Sequence, residues 1–440
     1  MAATTNLTTT LCKSFKYPII VILGSTGVGK TKLSIELAKK VDGEIISADS
    51  MQVYKGLDVV TAKATQAERA EIKHHMIDMV NPLDSFSVVE FRNMALPIIS
   101  DISSKGKVPI IVGGTNYYIE SLLWNILVTE DSGNQKTLAS DLEDTSPNLS
   151  KIDFEVLKDQ SIYKFLQSID PVAASKVHPN DSRKVKRKLE IWKATGKKPS
   201  DVIVEQQSLD GGDHLGGPLR FTNSLVFWLS CEQTALDKRI CDRVESMLAN
   251  GLVEEISGFY DDYNSKFLTK TPGFIPYKEG IFQAIGFKEF HNFLTSKFDN
   301  DNKKEELFKE SIETLKRVTI RYSKKQNTWI RNRFLKRPSH SSPNVYKLDA
   351  SVIEQWNETA LQPALEAATL FLSGKKIQLS PMPRLFKDQA EDQHKQYFCE
   401  TCNGKLIVGD SVWKQHCQSR KHKKRSAKRK KLEALDVKTV

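Results

Sequence analysis

The run Gly24-Ser25-Thr26-Gly27-Val28-Gly29-Lys30-Thr31 fits G-x-x-x-x-G-K-[ST], a loop whose backbone can hold phosphate. Glycines let successive N–H groups turn inward as an anion nest, and a following helix N-terminus adds partial positive charge. Lys30 supplies a full charge, and Thr31 offers a hydroxyl to magnesium. With this chain's residue frequencies a chance match is roughly one in a hundred. The loop therefore argues strongly for a di- or triphosphate and weakly for which one. Asp49 ends the segment Glu44-Ile45-Ile46-Ser47-Ala48-Asp49, and Gly113-Gly114-Thr115 follows the apolar run Val108–Val112. At the rim of a phosphate site, Asp49 suits either a magnesium ligand or a general base.

A second cluster lies near the C-terminus. Cys399-Glu400-Thr401-Cys402 is followed by thirteen residues, then His416, then five residues and His422. That spacing is that of a two-cysteine, two-histidine zinc finger. Phe398, Leu406 and Trp413 are the expected minimal core, and so small a unit needs its metal to fold. Cys417 is expected to stay a free thiol. Cys12, Cys231 and Cys241 read as small buried hydrophobes, and His74-His75 as structural.

Bringing Lys30, Asp49 and Thr115 together requires a parallel sheet, whose strands deliver their carboxyl ends to one crevice. Tyr17–Leu23, Glu44–Ala48, Val108–Val112 and Leu225–Leu229 read as buried strands. Helices are expected over Lys30–Lys40, Asn116–Leu127, Glu232–Asn250 and Lys303–Gln326. Another starts at Ser87 with a Ser87/Glu90 capping box, and Pro97 is expected to kink or end it. The fold class is thus α/β, a phosphate-loop parallel sheet with a helical insertion and a C-terminal zinc finger. The expected boundaries are a core over 17–128 and 223–340 and a helical insertion over 129–222. A tail and linker follow over 341–396, then the finger with its basic tail over 397–432. Thr129–Ser150 reads as a polar, acidic loop.

The 440 residues are 39% hydrophobic and 27% charged, ordinary globular proportions. No apolar run approaches the roughly 18 residues of a membrane-spanning helix, so no membrane partner is expected. Gln418–Leu432 holds nine Lys/Arg and no acid, and Glu313–Arg337 holds nine against Glu313 alone. Taking both patches from the net charge of +11 leaves 11 − 9 − 8 = −6 elsewhere. Two basic patches on a mildly acidic body suit a polyanion. Arg317, Arg321, Lys324 and Arg331 fall on one helical stripe, while Tyr322 and Trp329 read as core. Met1–Phe15 has weak presequence character but is short and lacks arginine. The expected location is the cytoplasm, with the mitochondrion and the nucleus left open. The basic tail after His422 reads equally as a nuclear signal or as RNA contacts.

In order along the chain, these segments resemble the eukaryotic tRNA dimethylallyltransferase (tRNA isopentenyltransferase) family. The resemblance rests on Gly24–Thr31, Ile46–Tyr54 with its Asp49-Ser50-Met51-Gln52, Thr61-Ala62-Lys63, His74-His75 and Val112–Thr115. It continues through Asp170-Pro171, His178-Pro179-Asn180-Asp181, Arg243-Val244 with Met247, Ile285–Glu289, Arg321–Gln326 and Trp329, covering roughly residues 17–335. Lys184, Lys188, Lys325 and Phe287 are mild departures from the family pattern.

The resemblance implies transfer of a dimethylallyl group from its diphosphate to the exocyclic amine of the adenosine 3′ of the anticodon. It implies Asp49 as general base, with Lys30, Thr115 and Arg243 at the diphosphate, which Gly24, Ser25, Thr26, Gly27, Val28, Gly29, Lys30 and Thr31 bind. It implies that Asp49, Ser50, Met51 and Gln52 read a flipped base. Arg183, Lys184, Val185, Lys186, Arg187, Gln283, Arg317, Arg321, Lys324 and Arg331 then contact tRNA. Magnesium on Thr31, and zinc on Cys399, Cys402, His416 and His422, are the expected cofactors. The expected partners are an anticodon stem-loop and dimethylallyl diphosphate, the protein acting as a monomer. An adenylate isopentenyltransferase acting on free AMP, ADP or ATP is the alternative, but it needs neither basic helix nor finger. A nucleotide kinase leaves Asp49–Gln52 unexplained. A non-catalytic RNA-binding protein would make the phosphate loop a relic.

Overall fold

The structure is a computed structural model that describes residues 15–126, 159–267, 276–277, 279–296, 300–386 and 395–436. The expectations for Met1–Ser14, Cys12 and Thr129–Ser150 lie outside those residues. The chain divides into two units, residues 1–127 with 210–386, and residues 128–209 with 387–440.

The first unit is built on a parallel sheet. Its strands are β1 (Ile19–Leu23), β2 (Gly43–Ser47), β3 (His74–His75), β4 (Val108–Val112), β5 (Ser224–Ser230) and β6 (Val345–Asp349), in the order β3-β2-β4-β1-β5-β6. All four interior strands read as apolar runs because helices cover both faces. The alternation is visible in β1, where Ile19, Val21 and Leu23 join one core cluster while Ile20 and Ile22 join the other. Each such fully buried side chain contributes roughly 1.5–3 kcal/mol. A third cluster forms around Val53, Tyr54, Leu252, Phe282 and Phe287, beside the loops that follow β2.

Several boundaries differ from those expected. The helix Val88–Ser104 runs through Pro97 without ending. Pro97 is exposed, so water can satisfy the carbonyl of Asn93 that the ring deprives of a donor. The helix from Asn116 stops at Leu123, because Trp124 turns extended and anchors its indole N–H on the Ser341 carbonyl, 2.6 Å away. The basic helix is longer than expected, Asp301–Arg333, starting where Asn300 accepts from the N–H of Lys303.

Residues 341–386 are not a tail. They supply β6, paired with β5, and the helix Gln362–Leu372, whose Ala364, Ala367 and Ala368 pack in the core. Nor do residues 210–222 belong to the insertion. There Arg337 Nη1 donates to both carboxylate oxygens of buried Asp213 (2.9 Å each), and its Nη2 donates to Glu120 at 2.9 Å.

In the second unit the helices Asp159–Ile169, Pro171–Ser175, Ser182–Thr195 and Pro199–Ser208 pack around Ile162, Leu166, Val177, Val185 and Leu189. Its distinctive motifs are caps. Asp170 accepts from the N–H groups of Ala173 (2.8 Å) and Ser200 (2.7 Å), and Asp181 accepts from that of Lys184. The same unit holds the antiparallel pair β7 (Gln396–Cys399) and β8 (Lys405–Val408), then the helices Asp410–Gln418 and Arg420–Asp436.

Candidate active site

The carboxyl ends of β1, β2 and β4 meet, as a parallel sheet requires. Gly29 carries the chain from loop into helix at φ +97°, a conformation that favours glycine, and Lys30 begins the helix. After β4 the chain passes so close to β2 that a Cβ on Gly113 would lie 2.0 Å from the Ala48 carbonyl oxygen. That approach lets the Thr115 N–H donate to Ala48 O (3.1 Å) and brings Thr115 against the Asp49 turn. There the N–H of Ser50 donates to Thr115 Oγ1 (3.0 Å), and that of Met51 donates to Asp49 Oδ1 (2.9 Å).

These loops open on a cavity of about 670 Å³ lined by Thr26, Gly27, Gly29, Lys30, Thr31, Asp49, Gly113, Gly114 and Arg243, among others. Lys30 is half-buried, its Nζ donating to Ser25 O at 2.8 Å. Burial pushes its pKa down to about 8, against the pull of Asp49 and with help from Arg243. Burial also lowers the pKa of Arg243, opposed by Asp49. One carboxylate therefore faces two half-buried cations across a cavity of ligand size. Such a site is built to receive a further, strongly anionic group. Thr31, on the first turn of the helix and lining the same cavity, is placed to give a divalent cation its hydroxyl.

The reading segment is divided. Asp49, Ser50, Met51 and Gln52 all line the cavity, but the Gln52 amide is engaged by the protein. It accepts from Ser47 Oγ (2.9 Å) and donates to the carbonyls of Thr61 (3.3 Å) and Ala62 (3.1 Å). Among the lining residues missing from the expected site are Tyr322 and Gln326, both on the basic helix. The Tyr322 hydroxyl hydrogen-bonds with the side chains of Thr115 and Gln326, and burial raises its pKa. Tyr322 and Trp329 are not core, each being more than a third exposed. Helical spacing set them seven residues apart but could not say that Tyr322 borders the cavity.

The family models that match describe an IPP transferase over residues 52–333 and an isopentenyl transferase over residues 17–84. A tRNA dimethylallyltransferase of Homo sapiens is 42% identical over 96% of this chain and 89% of its own length. That of Saccharomyces cerevisiae is 35% identical over 94% and 92%. A solved eukaryotic dimethylallyltransferase acting on tRNA superposes with a TM-score of 0.77 at 33% identity, covering 97% of this chain and all of that one.

The chain belongs to the tRNA dimethylallyltransferase family.

In this family member the basic side chains of the long helix are outward. Arg317, Arg321, Lys324 and Arg331 are exposed, with Arg331 lying 5.7 Å over the Trp228 ring and Lys324 near Asp237 at 3.8 Å. Gln283 is exposed at the cavity. In the second unit Arg183 and Lys184 are exposed and Lys186 and Arg187 half-buried. Val185 is fully buried in the small helical core, so its side chain cannot touch an RNA. The error came from reading a charged run residue by residue without its helical face.

The finger brings its four residues together. Cys399, Cys402, His416 and His422 place one ligand atom each within 4.8 Å of one another. His422 Nδ1 lies 3.5 Å from Cys399 Sγ and 3.1 Å from His416 Nε2. Bond lengths of about 2.0–2.3 Å to a tetrahedral ion imply separations of this size. The core around the cluster differs from expectation by one residue of register in each strand, Tyr397 and Ile407 standing where Phe398 and Leu406 were expected. Tyr397 stacks on Trp413 (centroids 4.9 Å, planes 5° apart) and Ile407 is buried, while Phe398 is 65% exposed. A one-residue shift in a strand exchanges its faces. Cys231 and Cys241 are half-buried rather than buried.

Proposed function

We propose that this chain transfers a dimethylallyl group from dimethylallyl diphosphate to the exocyclic amine of the adenosine 3′-adjacent to the anticodon in tRNA. The observation that carries this reading is the convergence of Asp49, Lys30, Arg243 and Thr115 on one cavity of about 670 Å³. The allylic C–O bond breaks as the C–N bond forms, and the electron pair of the broken bond leaves with the diphosphate. Stabilising that leaving group is electrostatic work, done by Lys30, Arg243 and the N–H groups of residues 24–31, with Thr115 beside the departing oxygen. Asp49 takes the amine proton, so positive charge does not build up on the nitrogen as it attacks. Magnesium held by Thr31 would add charge to the diphosphate site.

A stacked base cannot reach such a cavity, so the adenosine enters flipped. Arg183, Lys184, Lys186, Arg187, Gln283 and the outward stripe of the long helix hold the anticodon arm. Zinc on Cys399, Cys402, His416 and His422 folds the finger, whose basic helix adds backbone contacts. The test is incubation with labelled dimethylallyl diphosphate and an equimolar mixture of an anticodon stem-loop and AMP. Label is expected on the stem-loop, and label on AMP alone would replace this reading with that of an adenylate isopentenyltransferase.

A further inference from the structure

The long helix has one buried amide, and it is spent on the floor of the cavity. Gln326 is 4% exposed. Its Oε1 accepts from the N–H of Thr26 in the phosphate loop (2.9 Å), and its Nε2 donates to the carbonyl of Gly114 (2.9 Å). Its own backbone carbonyl accepts from Asn116 Nδ2 (3.2 Å), one residue beyond Thr115. A single side chain thus bolts the loop that carries Lys30 to the turn that carries Thr115. The amide presents an acceptor to one loop's donor and a donor to the other loop's acceptor, a combination that neither an ionised carboxylate nor an apolar side chain of this size supplies. Space is equally constrained. A Cβ added to Gly114 would meet Gln326 Nε2 at 2.6 Å and Asp49 Oδ2 at 3.4 Å.

We propose that Gln326 is a positioning residue for the transfer step. It fixes the distance between the phosphate loop and the Thr115 turn, and so aligns the departing oxygen with the attacking amine. This inference rests on the proposed transferase reading. Its mechanical content is that misalignment lowers kcat and leaves stem-loop binding alone, because an error near 1 Å costs on the order of 10²-fold.

The test uses the full chain with zinc and magnesium, labelled dimethylallyl diphosphate and the stem-loop. Q326L is expected to lose on the order of 10²-fold in kcat with KM for the stem-loop within about threefold of the parent. Q326E is nearly isosteric and keeps the bond from Thr26, but as a carboxylate it cannot donate to Gly114. Protonation restores that donor, so the activity of Q326E relative to the parent must rise as pH falls from 8 to 6. A merely structural role does not produce that pH-dependent rescue, and Q326E carries the measurement if Q326L does not fold. G114A, which pushes on the same amide, is expected to lower kcat as Q326L does. The proposal is overturned if the parent modifies the stem-loop and Q326E tracks it within about threefold at every pH. A parent chain that transfers nothing overturns the transferase reading itself, and this one with it.

Discussion

The cavity and the finger solve the same problem by opposite means. Each must hold a few side chains from distant parts of the chain within a few ångströms. At the cavity the work is done by backbone, by three strand ends, a glycine that admits its neighbour at 2.0 Å, and buried bridges such as Gln326. Two large core clusters, one on each face of the sheet, support that frame. Among its described residues the finger buries Cys399, Cys402 and Ile407, with Tyr397 and Trp413 packed against them. On the proposed zinc reading its geometry comes from the bound ion. The first site is therefore organised before its ligand arrives, and the second by its ligand.

The sharpest way to break that contrast is to remove the metal. Structural zinc sites in small peptides are worth roughly 10–16 kcal/mol, far more than three buried side chains supply. A chelator, or Cys402→Ser, is expected to unfold residues 395–436, seen as lost amide protection there. The protection of β1, β4 and β5 should be unchanged. A finger that stays protected without metal would mean that packing organises it after all.

The next effect is chemical. Asp49→Asn keeps the size of the side chain and its bond from Met51 N–H but cannot take a proton. A loss of about 10²- to 10⁴-fold in kcat is expected, with isoprenoid binding retained. Retained activity would remove Asp49 as the base and leave it a purely electrostatic group.

A smaller effect is a pH dependence. In the free enzyme Lys30 loses its proton through a pKa of about 8, because burial disfavours the charged form. Only the protonated form attracts diphosphate, so kcat/KM for the isoprenoid should fall above pH 8, approaching about tenfold per unit. The bound diphosphate stabilises the ammonium, so kcat at saturation should fall at higher pH. A flat kcat/KM profile to pH 10 would show that the cavity is less preorganised than its burial implies.

Much of this was legible in the sequence, for identifiable reasons. Buried parallel strands are apolar runs, and the Gly24–Thr31 loop and the Cys/His spacing impose their own geometry. Helix starts were legible where a polar residue caps them, as at Ser87, where the capping box forms as expected. The misses are of other kinds. β6 is five residues long and carries Lys347 and Asp349 on an edge strand, so no apolar run announces it. The parity of β7 rested on one residue of register, with Phe398 and Tyr397 equally plausible inward. Gln326 sits in a recognisable segment, but nothing in a sequence says that a lone amide spans two loops 212 and 300 residues away.

The helix Asp301–Arg333 tests the contrast on its finest scale, because it lends one face to the cavity and another to solvent. Arg321 and Gln326 are five residues apart, about 140° around the helix. Arg321 is exposed, like Lys423, Lys424 and Arg425 on the finger's basic helix, and Gln326 is buried. A phosphate contact contributes a near-uniform affinity and about one unit of the slope of log K against log salt. Arg321→Gln should therefore weaken stem-loop binding by about tenfold or less, lower the salt slope by about one, and leave kcat at saturation unchanged. Substitution of Gln326 should do the reverse, lowering kcat with an unaltered slope. If Arg321→Gln instead lowers kcat, the two faces are not independent, and RNA docking reaches the cavity through the helix itself.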